Sequence, residues 1–266
     1  MAWFIPSSRY IIMVVALTLG ISINPLEQAQ AQPLTSSLSS KLESAFRAPS
    51  GSGAPINTQS GGTRGPCMRT NKPLIALVPT YGMGKTIAES PTIYWYVPPL
   101  SIEGAPAPMI EFVLKDANDQ EVYSAKYPLM KSPESVVGTP GIMSLSIGNL
   151  YPLKIGQEYH YLLTLRCDAN SQDNSENAYA EGRLQRVAPN PNFEHLTQQA
   201  TPQERVSLYA DNELWYETVA TLIELRRDRP YDTNLVDAWE KLLSLVQKGD
   251  IVAKEPLFNG ARNINN

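Results

Sequence analysis

The chain has 266 residues, 22 Lys and Arg against 26 Asp and Glu, a formal charge of −4 and 42% apolar residues. That is enough chain for one large or two small domains with a real core, and the acidic balance excludes nucleic acid as the main partner, because phosphate binding needs clustered positive charge. Two His and two Cys leave little material for a metal centre, and no cofactor is expected.

Residues 1–31 read as a signal peptide. Arg9 and the amino terminus supply the positive start, and Ile11 to Ile23 supply an apolar run. Ala29-Gln30-Ala31 is the small-x-small pattern of a cleavage site, so cleavage is expected after Ala31. The apolar run is shorter than the roughly 20 residues that span a bilayer. No later segment is apolar enough to span either, so no transmembrane segment is expected after cleavage. The expected location is the periplasm or cell envelope. An oxidising compartment favours joining Cys67 to Cys167, which are too far apart for a CxxC redox motif. A bridge closing that loop of about 100 residues would contribute roughly 4–5 kcal/mol by chain entropy.

Residues 32–66 are rich in Ser, Gly, Pro, Gln and Ala and read as a flexible leader, in which Leu38, Leu42 and Phe46 are spaced for one short amphipathic turn. No acidic residue occurs between Glu43 and Glu89, whereas Arg47, Arg64, Arg69, Lys72 and Lys85 are basic. Two readings fit that stretch: one that meets an acidic surface such as the protein's own helices, and a solvated, extended lead-in, which is favoured.

From residue 74 the pattern becomes β-like. Leu74–Pro79, Thr92–Val97, Met109–Lys115, Glu121–Tyr127, Gly141–Ile147, Glu158–Cys167 and Ala178–Val187 are short apolar, β-branched and aromatic runs separated by Pro, Gly, Asn and Asp. Seven such segments without intervening helices predict an antiparallel immunoglobulin- or fibronectin-like β-sandwich over residues 67–188. Tyr159, Tyr161, Leu163, Leu165 and Cys167 alternate onto one strand face, which should be buried. The run from Leu150 to Tyr159 resembles the corner of such sandwiches, where a Tyr hydroxyl anchors the preceding turn. Trp95, with Ile93 and Val97, should face the core, leaving Tyr94 and Tyr96 on the opposite face.

After a loop at Ala188–Ala200 the period becomes helical. Thr201-Pro202-Gln203-Glu204 carries an N-cap, a Pro at N1 and an acidic first turn. Apolar residues from Leu214 to Leu225 and from Leu235 to Val246 recur at helical spacing, with Pro230 stopping the first helix and Gly249 suited to the C′ position of the second. The helices of residues 201–253 should form a hairpin that covers the sheet or makes a small second lobe, followed by a frayed tail over 254–266. The expected class is therefore mainly β with α.

Reaction motifs are thin. Gly84-Lys85-Thr86 mimics the end of a phosphate-binding loop, but Pro79 stands where the first Gly belongs and Pro91 interrupts any following helix. A β-turn fits better. The Asp168–Asp173 segment alternates oxygen ligands but lacks the Gly at position six and the Glu at position twelve of a calcium loop. His160 and His195 have no spaced partner, and no GxSxG elbow occurs. Glu213 and Glu217 read as a solvated carboxylate pair on a helix face. Trp215 lies on an apolar stripe and reads as core, while Arg226 and Arg227 complement the dipole of their helix. Arg64, Tyr94, Tyr96, Arg226 and Arg227 are the candidate interaction surface, since aromatic and Arg side chains anchor interfaces.

Gly61-Gly62-Thr63-Arg64-Gly65-x-Cys67, the Leu74–Pro79 strand, Gly84-x-Thr86, the segment Pro91–Pro98 and the stretch Leu214–Pro230 together resemble an exported cyanobacterial family, domain of unknown function nine-two-eight. The resemblance spans about residues 55–253. It implies a cell-envelope location and a strand-then-helix layout, and it implies no catalytic mechanism and no site residues. The expected function is a noncatalytic binding module that recognises an envelope protein or glycan. A structural or assembly component is the alternative, with an envelope hydrolase behind both.

Overall fold

The computed structural model describes residues 1, 34–48, 68, 71–100, 108–129, 141–147, 151–168, 170, 173–174 and 177–257. The expected signal peptide, Arg64 and Cys67 lie outside the described residues. No described helix is long and apolar enough to cross a membrane.

Each of the seven expected β segments contains a strand, and an eighth occurs where a turn was expected. The strands are β1 (Ile75–Ala76), β2 (Met83–Thr86), β3 (Thr92–Val97), β4 (Met109–Asp116), β5 (Glu121–Pro128), β6 (Gly141–Ser146), β7 (Glu158–Arg166) and β8 (Ala178–Arg186). They form a three-stranded sheet, β1-β3-β6, and a five-stranded sheet, β2-β8-β7-β4-β5. Pairing is antiparallel except that β2 runs parallel to β8, with Gly84 opposite Leu184. Strand β4 alternates buried and half-buried residues along its length, as a strand with one core face must. At the expected corner, Lys154 N–H donates to the Tyr159 hydroxyl over 3.0 Å.

The helices are α1 (Leu34–Phe46), α2 (Phe193–Gln199), α3 (Pro202–Asp211), α4 (Trp215–Asp228) and α5 (Thr233–Ser244). Three correct the sequence reading. Residues 34–46 lie in the expected flexible leader, yet they form a helix whose Leu38, Leu42 and Phe46 are buried. The apolar stripe finds a groove that composition does not reveal. Helix α2 occupies the expected loop and buries Phe193. Helix α5 ends at Ser244, and Gly249 opens a 3₁₀ turn instead of serving as its C′ residue. A Cβ there would sit 2.3 Å from the Leu243 carbonyl oxygen, so close packing demands the glycine.

Local chemistry explains the other helix starts. Thr201 and Glu204 form a reciprocal capping box with Pro202 at N1. Asp232 caps α5 by accepting from Asn234 and Leu235 N–H. Residues 32–266 form one compact unit. Within it α4 packs on β2 and β3, while α3 and α5 pack on α4 and on α1. The expected tail is tied in at its start, because Ile142 N–H donates to the Pro256 carbonyl and Lys72 pairs with Glu255 over 2.5 Å.

Candidate functional site

A set of part-buried polar contacts joins β2 to α4, and it contains the two sequence features that most resembled reaction motifs. Gly84 lies beneath the aromatic pair that opens α4. A Cβ at this position would meet Tyr216 Cε2 at 2.6 Å and Trp215 Cδ1 at 3.2 Å. Tyr216 O–H donates to the Arg183 carbonyl over 3.1 Å, and Trp215 Nε1–H donates to the Leu77 carbonyl over 2.8 Å. Both rings are buried, so their polar atoms need these acceptors.

Beside Gly84, Lys85 Nζ pairs with Glu213 over 2.5 Å, and both side chains reach solvent. Glu213 has φ +57° between α3 and α4, and its N–H bonds the Ala210 carbonyl in closing α3. Thr86 is buried and donates its hydroxyl to Glu217 Oε1 over 2.6 Å. The same oxygen accepts from Ile87 N–H at 2.9 Å and Ala88 N–H at 3.2 Å. Glu217 Oε2 is buried with no hydrogen-bond partner among the described residues. Burial pushes the Glu217 carboxyl above its ordinary value, against the opposing effect of the hydrogen bonds from Thr86, Ile87 and Ala88. The expected solvated pair is thus divided. Glu213 is exposed, whereas Glu217 is a half-buried acceptor, because the first turn of α4 falls over the end of β2.

Arg186, the last residue of β8, extends the cluster. Its Nε–H donates to the Ile87 carbonyl over 3.3 Å and its Nη1–H to the Leu153 carbonyl over 2.6 Å, while Nη2 pairs with Glu89 over 2.9 Å. One guanidinium therefore ties the exit of β2 to the Tyr159 corner, a role suited to its planar fork of donors. This arrangement binds backbone to backbone through side chains, and its donors and acceptors are turned on one another.

The expected interaction residues are scattered. Tyr94 is only 6% exposed and Tyr96 is buried, so neither forms a surface. Strand β3 is covered on both faces, and alternation alone cannot distinguish a solvent face from one beneath a helix. Tyr94 lies near Arg227 and Glu224 of α4, and burial pushes its phenol up to about 12. Tyr96 instead lies near Glu255, and its hydroxyl has no hydrogen-bond partner among the described residues. Arg226 is half-buried towards Glu240 of α5, where desolvation lowers its pKa. Among the described residues of this set the structure brings Tyr94 to Arg227 and unites none of the others.

A residue that the sequence reading missed is Tyr231, 93% exposed between α4 and α5. Pro230 before it and the Asp232 cap after it signal a tip, although no sequence pattern tells an exposed Tyr from a packed one. His160 pairs with Asp119 over 3.0 Å, and His195 lies exposed beside Gln199. No group of three or more His, Cys, Asp or Glu residues suited to a metal ion occurs among the described residues. In the segment considered for calcium, Asp168 accepts from Asn170 N–H over 2.8 Å, as a turn residue does. Cys167 is buried at the end of β7 and is not a free thiol.

These features define a mixed α+β protein of two sheets with helices bound to them. The chain belongs to the family described as Domain of Unknown Function (DUF928), which matches residues 59–257. No curated protein matches it.

Proposed function

We propose that the protein is an exported, noncatalytic binding module of the periplasm or cell envelope, built on an immunoglobulin-like sandwich. The orders β1-β3-β6 and β2-β8-β7-β4-β5 fit the A-B-E and G-F-C-C′ arrangement of such sandwiches, with β2 added beside the last strand. The hydrogen bond from Lys154 to Tyr159 supports the same reading, since it reproduces the tyrosine corner. Export rests on the charge, apolar run and small-x-small site of residues 1–31. Within an oxidising compartment Cys67 pairs with Cys167, and the buried place of Cys167 beside the end of β7 suits a structural bridge.

The observation that carries the noncatalytic reading is the use made of Thr86 and Glu217. The strand-then-GKT segment and the buried carboxylate, the best candidates for chemistry, hydrogen-bond each other and hold a helix on a strand. Binding then falls to loops and tips, where Tyr231 supplies an exposed aromatic anchor.

Fractionation with N-terminal sequencing tests export, and a mature chain beginning at Gln32 is the expected result. Mass mapping without reduction should recover one peptide pair joining Cys67 to Cys167. For binding, immobilised mature protein and a Tyr231→Ser variant are exposed to solubilised envelope proteins and glycans. Retention of a defined species that the variant loses is expected. Recovery of nothing above background would overturn the binding reading.

A further inference from the structure

Helix α1 lies before residue 59, where the family match begins, yet every element that it packs against lies inside that match. It sits on α3 and α5. Leu38, Leu42 and Phe46 form a single stripe, and all three are buried. Phe46 meets the Trp215 ring edge-on, with centroids 5.0 Å apart. Around this stripe the ties are ionic and solvent-accessible. Lys41 pairs with Asp211 of α3 over 2.8 Å, and Glu43 pairs with Lys241 of α5 over 3.2 Å.

A helix with apolar anchors in a groove and charges at its rim has the anatomy of a bound helical peptide. The connection back to the body, residues 49–67, is rich in Gly, Ser and Pro, a composition suited to a tether. Tethering makes docking intramolecular and raises the effective concentration of the helix at its groove.

We propose that the surface formed by α3, α5 and Trp215 is a helix-docking groove, and that α1 is its detachable occupant. The groove takes an amphipathic helix with bulky apolar residues at i, i+4 and i+8, the places of Leu38, Leu42 and Phe46. It also favours a base at i+3 for Asp211 and an acid at i+5 for Lys241, the places of Lys41 and Glu43. Release of α1 bares the Trp215 edge and the apolar faces of α3 and α5. This inference is independent of export and of the Tyr231 reading.

The test uses the full chain with a protease site placed within residues 49–67, cut after folding. The α1 fragment should co-elute with the body on gel filtration. A fluorescent peptide of residues 34–48 added in excess should displace it while the body stays folded by circular dichroism. The same peptide carrying Phe46→Ala should bind at least tenfold more weakly, and one carrying Lys41→Glu should lose affinity most at low salt. Three results overturn the proposal: a fragment that never exchanges, a body that unfolds when the fragment leaves, or a folded body that rejects the peptide. The first two would make α1 an inseparable part of the core.

Discussion

Thr86 at the end of β2 and Glu217 in the first turn of α4 stand 131 residues apart in sequence and share a hydrogen bond of 2.6 Å. The contact carries the α4 docking geometry, because the same carboxylate oxygen also holds the next two backbone N–H groups. Its cost lies in the other oxygen, Oε2, which is buried without a hydrogen-bond partner among the described residues.

The first prediction follows from that asymmetry. Glu217 has a folded pKa above its ordinary value of 4.5, chiefly through burial. The folded state therefore holds the proton more tightly than the unfolded state does. The resulting stabilisation is complete below pH 4.5 and is lost as pH rises through the folded value. Glu217→Gln, which cannot ionise, should gain stability relative to the parent as pH rises above that window. Urea midpoints measured from pH 4 to pH 8 check this, and parallel curves would contradict it.

Removing the donor should act in the opposite sense. Thr86→Val keeps the volume close to native and leaves Glu217 short of one hydrogen bond in a buried place. A loss of about 1–3 kcal/mol is expected near neutral pH, measured by urea unfolding.

Gly84→Ala tests the fit of strand to helix. Its Cβ would meet the Tyr216 ring at 2.6 Å, and that ring is held in place by its own hydrogen bond to Arg183. Overpacking of this kind costs about 1–3 kcal/mol. A second change, Tyr216→Leu, should recover part of the loss if the ring is the obstacle, and a double-mutant cycle measures the recovery.

Trp215→Phe should destabilise more than its change in size alone implies. The variant leaves the Leu77 carbonyl without its 2.8 Å donor and alters the edge contact with Phe46. A buried acceptor left unpaired costs about 1–3 kcal/mol, in addition to the lost packing. Thermal unfolding of the variant should also show earlier protease cleavage between α1 and β1, because Phe46 loses part of its seat.

Tyr159→Phe removes only the hydroxyl that accepts from Lys154 N–H. A decrease of about 0.5–1.5 kcal/mol is expected, since the freed N–H lies at a partly exposed corner. Hydrogen exchange at Lys154 should quicken while the amides of β7 keep their protection.

Strand positions were legible because period two survives in the letters. Val113 and Leu114 alternate across β4, and Tyr159 to Leu165 alternate along β7, whatever lies above them. Caps were legible for the same local reason, as at Thr201 with Glu204. What misled was the assumption that an off-core face meets water. Tyr94 and Tyr96 alternate correctly with Trp95, yet helices and the C-terminal segment cover their side of β3 as well. Glu217 was misread through the same assumption, since its exposure depends on where α4 comes to rest.

By itself, then, the sequence determined seven of the strands, the three later helices with the stop at Pro230, and the acidic, histidine-poor composition, all of which depend on neighbours within a few residues. Tertiary structure alone decided that Gly84-Lys85-Thr86 is a strand receiving a helix, that α1 is docked, and that the Glu217 carboxylate is drawn in against β2 while Glu213 stays exposed. These outcomes depend on contacts between residues more than a hundred positions apart. Burial and hydrogen-bond satisfaction are properties of the assembled surfaces, and no local period encodes which surfaces meet.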